Sequence, residues 1–555
     1  MTDPAPHHGD HRFETASVLH RVPSDYPVTP SEILYQSKGC LLVISPGQHA
    51  ARLRPLVESR LDVFVLLTDE DTPGALPEAF TRIRGTLVTL TGHLGQFKAT
   101  IEGEEEPLNL ALLCPGERGF FDLVLDLSTP PCLPVEVHPV GYFAPGDDPE
   151  ALGRALDELP TLVGTFVKPK FFEYYASKCV HTRRGIEGCR RCIEACPAQA
   201  IGPQSNGVQV NPFLCQGCGA CALVCPTEAI VHLPSSENTL LPPLHTLLKR
   251  HTTAGDAAAP CLLFHDSEDA QALIDEALSR LSPRMVPLPV HTLAAFGTDT
   301  WLSVLAYGAA EALLLMTQSP PITMHQALQQ QLDHARAILT GMGYSAQRID
   351  LLRVTTADEL HEALRERGTI ARLNSGEFTP FINKRKNTYK AVAHLLSQVP
   401  PPPPFIELAP GAPFGEVCVD TTLCTLCLAC VEICPTTALN SGDDDTLPQL
   451  NFVEGLCVQC GLCAAACPEE AIHLNPRFLY DSAHRSQRRL LHQEPPFHCI
   501  TCGQPFTTQA IVNRLTERLK DNPHFSGERI TQLQQCPDCR SRYNLLEQFE
   551  RVHPP

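Results

Sequence analysis

The sequence predicts a multidomain chain of mixed α/β and α+β class, and three observations carry that reading. The chain has 555 residues, which at roughly 100–200 residues per domain makes about three to five domains. Two regions, 31–165 and 255–368, alternate short apolar strands with helix-like segments and hold only scattered cysteines. Most of the 25 cysteines crowd instead into regularly spaced runs in 166–236, 405–478 and 490–555.

Residues 1–30 are polar and read as a flexible tail, with His7, His8 and His11 as solvated side chains. Within 31–165, Leu41–Ser45 and Asp62–Thr68 read as buried strands and Ala50–Arg60 as a helix. Thr86–Glu102 reads as a hairpin around Gly92 and Gly95, followed by apolar runs at Leu108–Leu113 and Phe121–Ser128. Strand, helix, strand order predicts a small mixed sheet. Cys40, Cys114 and Cys132 are isolated and read as buried small residues. No glycine here has the strand–GxGxxG–helix context of a phosphate loop.

Segment 166–236 runs from Lys168-Pro-Lys-Phe-Phe-Glu-Tyr-Tyr175 into Cys179-x9-Cys189-x2-Cys192-x3-Cys196-Pro197. A second run follows as Cys215-x2-Cys218-x2-Cys221-x3-Cys225-Pro226. Segment 405–478 repeats the pattern in regular form, Cys424-x2-Cys427-x2-Cys430-x3-Cys434-Pro435 and Cys457-x2-Cys460-x2-Cys463-x3-Cys467-Pro468. A cubane [4Fe–4S] cluster needs four thiolates converging on a small volume. Two-residue gaps let three of them wrap one cluster from a single loop, and the fourth, before Pro, serves the neighbouring cluster. By that rule Cys424, Cys427, Cys430 and Cys467 form one set, and Cys434, Cys457, Cys460 and Cys463 a second. Cys179, Cys189, Cys192 and Cys225 form a third, and Cys196, Cys215, Cys218 and Cys221 a fourth. In the earlier copy Ile186 stands where the first ligand belongs, with Cys179 available upstream. Either Cys179 closes a longer loop at small entropic cost, or it is not a ligand and that site holds a three-iron cluster. These runs resemble the bacterial two-cluster ferredoxins. That resemblance implies two dicluster modules, each built from βαβ-like halves about a pseudo-twofold axis.

In 255–368, Cys261–Phe264, Met285–Val290, Ala312–Met316 and Ile349–Val354 read as strands between helices at Asp269–Leu281, Thr300–Gly308 and Thr323–Leu339. That alternation implies a parallel sheet. The stretches LAYGAAEALLL and ARAILTGMGYSAQRIDLLRV resemble the delta-type subunit of methanogen-style hydrogenases, which carries a [2Fe–2S] cluster. Only Cys261 stands among the positions where its ligands belong, so the resemblance implies a docking or spacer domain that has lost its cluster. Residues 369–404 read as a helical and Pro-rich linker whose five prolines, Pro400–Pro404, extend roughly 15 Å.

In 490–555, Cys499-x2-Cys502 and Cys536-x2-Cys539 flank the helical stretch TTQAIVNRLTERL. Two such knuckles make a tetrahedral four-thiolate site in a zinc-ribbon-like unit, with zinc as the expected ion. The knuckles also resemble those of rubredoxins, which leaves a single iron as the alternative. Arg485, Arg488, Arg489, Arg540 and Arg542 read as a docking patch for an acidic protein or a solvated face.

A net charge of −19 argues against nucleic acid as a partner. The spacing of the cysteines argues for metal ligation in a reducing compartment rather than a disulfide framework. The N-terminus shows no export signal and no apolar run spans a membrane, so the cytoplasm is the expected location. No HExxH, nucleophile elbow or nucleotide motif appears. The expectation is therefore an electron carrier or oxidoreductase subunit rather than a self-sufficient enzyme. It resembles accessory polyferredoxins, which implies a redox enzyme as partner, such as a formate dehydrogenase or a hydrogenase-like complex. The rival reading is a redox-sensing or assembly protein.

Overall fold

The computed structural model describes residues 20–22, 31–68, 76–104, 106–113, 119–233, 237–253, 259–367, 370–381, 383–442, 447–525 and 527–552. The tail histidines and Cys114 lie outside them.

The first α/β region is built on five parallel strands in the spatial order Tyr142–Phe143, Leu123–Asp126, Cys40–Ser45, Asp62–Leu67, Thr81–Arg84. The expected mixed sheet is thus sorted into separate sheets. The hairpin Leu87–Thr91/Lys98–Ile101 forms an antiparallel sheet with Leu108–Asn109, and Glu32–Ser37 pairs with Gly164–Pro169. The central strands are buried on both faces, as their unbroken apolar runs require. The segment after Cys40–Ser45 winds as a 3-10 helix, Gly47–Glu58, with Pro55 inside it. Pro lacks the N–H that a regular helix interior would use. Cys40 is buried as expected and forms a disulfide, whereas Cys132 is only half-buried.

The middle region has four parallel strands in the order Met285–Pro289, Cys261–His265, Glu311–Met316, Ile349–Arg353. Helix Thr298–Ala306 is buried along its whole length and holds the single tryptophan, Trp301. Against it pack helices Glu237–Thr253 and Lys384–Leu396. The second of these was expected within a linker. Its Ala391, Val392 and Leu395 are instead fully buried in the same core as Trp301, because an apolar helix face is stabilised by any core that covers it.

The two cysteine-rich segments are small and strand-poor. In the first, Phe172–Tyr174 pairs with Ile230–His232 and Ile201–Gln204 with Gly207–Val210. In the second, Ile472–Leu479 pairs with Phe405–Glu407 and Gly415–Val419, while Leu439–Asn440 pairs with Gln449–Phe452. The C-terminal unit combines the hairpin Pro496–His498/Pro505–Thr508 with helices Gln509–Leu519 and Pro537–Val552.

Candidate metal centres

The cysteine loops are shaped by left-handed residues at repeated offsets. Gln199, Glu228, Thr437 and Glu470 each follow a Cys-Pro run at the same distance, and all have φ between 48° and 56°. That turn swings the next amide back onto sulfur. Ala200 N–H donates to Cys196 Sγ at 3.2 Å, Ala229 N–H to Cys225 Sγ at 3.2 Å and Ala471 N–H to Cys467 Sγ at 3.4 Å. The Cys-x2-Cys-x2-Cys loops repeat a second device. Gly217 and Gly219, Leu426 and Leu428, and Gln459 and Gly461 all have positive φ. Successive turns of this kind aim backbone N–H groups into one concavity and favour anionic groups there. Non-glycine residues hold this conformation only where the surroundings impose it.

Four cavities among the described residues are each lined by four cysteines. Cys179, Cys189, Cys192 and Cys225 line one of about 330 Å³. Cys196, Cys215, Cys218 and Cys221 line one of about 530 Å³. Cys434, Cys457, Cys460 and Cys463 line a third of about 330 Å³, and Cys424, Cys427, Cys430 and Cys467 a fourth of about 340 Å³. Burial first, and neighbouring thiols second, push Cys192 and Cys463 up. Burial also raises Cys218 and Cys430 to about 12 and Cys460 to about 11. Sulfurs that repel one another as thiolates in an apolar cavity fit a multivalent metal centre, which deprotonates its ligands outright.

Cys179 reaches its cavity because the hairpin Thr182–Arg183/Ile186–Glu187 takes up the intervening chain. Ile186, the residue in the ligand's place, packs against the apolar cluster of the second cysteine-rich segment. His181 lines the same cavity. Its Nδ1 lies 2.8 Å from the Cys189 carbonyl, and its buried Nε2 has no protein partner. Cysteine spacing gave no sign of it.

Other supporting residues were also missed. Lys168 is buried and donates to the carbonyls of Phe213 at 3.0 Å and Cys215 at 2.7 Å. Burial holds its ammonium down to about 8. Arg385 donates to the carbonyls of Gly455, Pro413 and Cys457. Arg191, between Cys189 and Cys192, was missed as well.

At the C-terminus the ligand atoms of Cys499, Cys502, Cys536 and Cys539 lie within 4.8 Å of one another. Burial pushes Cys499 up, but backbone N–H groups led by that of Cys536, at 3.2 Å, outweigh it and bring the thiol to about 6. A thiol held in its anionic form among three others suits a zinc or iron ion. Of the arginines read as a docking patch or solvated face, Arg488, Arg489 and Arg542 are exposed, but Arg485 is not. Arg485 is buried, donates to the Leu479 carbonyl and stacks 3.9 Å from the Tyr389 ring centre. Arg489 pairs with Glu416 and Glu454, and Arg540 donates to the carbonyls of Gln532 and Gln535.

Residues 187–229 match the family model of a 4Fe-4S dicluster domain, and residues 423–472 match that of another 4Fe-4S dicluster domain. The isethionate sulfite-lyase activating enzyme of Oleidesulfovibrio alaskensis is 39% identical over 61 residues, which is 10% of this chain and 19% of that enzyme. The chain thus spans under a fifth of that relative's length. Fold and matches define an iron–sulfur, metal-binding protein. The chain is a ferredoxin-type 4Fe–4S binding protein with two dicluster modules.

Proposed function

We propose that the chain relays single electrons between redox partners through four [4Fe–4S] clusters. The observation that supports this is the convergence of sixteen cysteines, four by four, on four separate cavities. In this reading Cys179, Cys189, Cys192 and Cys225 hold one cluster, and Cys196, Cys215, Cys218 and Cys221 its neighbour. Cys434, Cys457, Cys460 and Cys463 hold a third, and Cys424, Cys427, Cys430 and Cys467 the fourth. When bound, such clusters supply one-electron chemistry at potentials set by burial and hydrogen bonds to sulfur. The protein's own part is to ligate, to exclude water and to aim N–H groups at the sulfurs, as Ala200, Ala229 and Ala471 do.

The C-terminal cysteines hold a structural zinc, since a closed four-thiolate site has no open position for substrate; a single iron is the alternative. The two α/β regions serve as cluster-free docking or spacer domains, the second of them delta-like, with Cys261 fully buried and alone. Domain limits follow the segments 31–165, 166–236, 255–368, 405–478 and 490–555, with helices Glu237–Thr253 and Lys384–Leu396 added to the middle domain, whose core they share. Among the described residues no helix is long and apolar enough to cross a membrane. We place the protein in the cytoplasm, as a carrier or subunit serving a formate dehydrogenase or hydrogenase-like complex.

Iron, sulfide and zinc analysis with a potentiometric EPR titration tests the reading. About 16 irons per chain are expected from four such clusters, and fewer than about 12 would overturn it. A pull-down that recovers no redox enzyme counts against the partner.

A further inference from the structure

We propose that the two modules form one continuous electron path, joined where the Cys189 loop meets the Cys460 loop, with Arg191 as the positioning residue of that junction. The inference rests on the four-cluster reading and adds a connection that the reading does not require. Two interlocked pairs, held apart, would be two independent carriers.

Three observations converge on the junction. Arg191 lies between Cys189 and Cys192, yet its guanidinium is spent on the other module. It donates to the carbonyls of Gly411 at 3.2 Å, Ala412 at 3.4 Å, Val458 at 3.2 Å and Gln459 at 3.3 Å. Val458 and Gln459 are the two residues between Cys457 and Cys460. The same Nη1 stands 3.7 Å from Cys189 Sγ. One side chain thus touches a ligand sulfur of one set and the ligand loop of another.

Gly188 is the second observation. A Cβ there would meet Leu462 Cγ at 2.7 Å and the Cys460 carbonyl oxygen at 3.0 Å. The chain beside Cys189 is therefore packed onto Cys460 and Leu462 so closely that a side chain at 188 would have to displace Leu462. Third, the departure from regular spacing in the first module lies at this contact. Ile186 stands where the regular spacing has a cysteine and packs against the second module's core, and Arg184 pairs with Glu432 across the same boundary at 3.1 Å.

The step is balanced as one electron. With clusters bound, the Cys189 set and the Cys460 set would hold one-electron donor and acceptor side by side, so that transfer between them would make no bond and move no proton. Arginine suits the junction because its planar fork engages several acceptors at once, which a lysine cannot.

The test is EPR of the reconstituted full chain, reduced stepwise, comparing wild type with Arg191→Met, Arg191→Lys and Gly188→Val. Wild type is expected to show a magnetic interaction beyond the two within-module pairs. Arg191→Met and Gly188→Val should lose that component while keeping their iron content and within-module interactions. Arg191→Lys, which keeps the charge and loses the fork, should behave as Met does. Spectra of Arg191→Met and Gly188→Val that match wild type, a wild type with only within-module interactions, or full rescue by Lys would overturn the junction. Iron far below the expected content would instead sink the four-cluster reading beneath it.

Discussion

Arg477 holds Glu454 in a buried two-pronged ion pair, Nε to Oε1 at 2.9 Å and Nη2 to Oε2 at 2.7 Å. Glu454 opens the turn Glu454–Leu456 immediately before Cys457, and Arg477 lies on the strand Ile472–Leu479 that follows Cys467. The pair ties the start of one ligand loop to the strand after the last ligand. Truncating Arg477 leaves Glu454 buried with the more exposed Arg489, at 3.6 Å, as its remaining cation, so the cost falls below the about 3–5 kcal/mol of a wholly unpaired buried charge. Arg477→Met should lower the unfolding midpoint and reduce iron retention in the second module. A denaturant titration that shows no loss of stability would refute this.

Thr437 is exposed and β-branched, with φ of 55°. The left-handed conformation costs such a residue roughly 1–2 kcal/mol, and glycine avoids that at a smaller entropic cost. Thr437→Gly should therefore stabilise the chain by about 0.5–1 kcal/mol, read from urea unfolding with iron content unchanged.

Cys179 offers a direct test of the displaced ligand. Cys179→Ala should remove a whole cluster, about four of the 16 irons, or leave a three-iron signal in its place. Iron content and EPR identical to wild type would show that Cys179 is not a ligand.

His334 is buried on helix Ile322–Gly341. Burial first, then the Arg191 cation, holds its imidazole down to about 4 from 6.5, while Asp333 opposes the shift. Between those values the unfolded chain binds a proton that the folded chain does not. The neutral ring's contribution is thus complete above pH 6.5 and is lost as pH falls toward 4, by on the order of 3 kcal/mol. His334→Gln should flatten the fall in stability between pH 6.5 and 4.5; an unchanged pH profile would exclude the effect.

Cys502→Ser should release the C-terminal metal, detected as loss of one zinc (or iron) per chain. The low-temperature EPR of the clusters should remain, because this site shares no ligand with them. Loss of cluster signal together with the metal would show that the two are coupled.

The parallel sheet of the middle region, the hairpin at Leu87–Ile101 and the grouping of cysteines about four cavities were legible because each rests on local order. Alternating apolar runs set strands, and two-residue gaps set how many sulfurs one loop can aim at one point. The left-handed turns at Gly217 and Gly219 sit on residues that adopt them freely. Those at Leu426 and Leu428 do not, since their conformation is imposed by the packing around them.

What the sequence determined by itself is therefore the grouping, namely which cysteines line a common cavity and in what number. Tertiary structure alone decided how the modules meet. Ile186 looked like a missing ligand and proved to be a packing contact. Arg485 looked like solvated charge and proved to be buried on Tyr389, and helix Lys384–Leu396 looked like a linker and proved to be core. The physical reason is shared. Arg191 and Arg385 act on backbone carbonyls, acceptors that every residue possesses, so nothing in a partner's side chains marks it as a partner until the fold brings the two together.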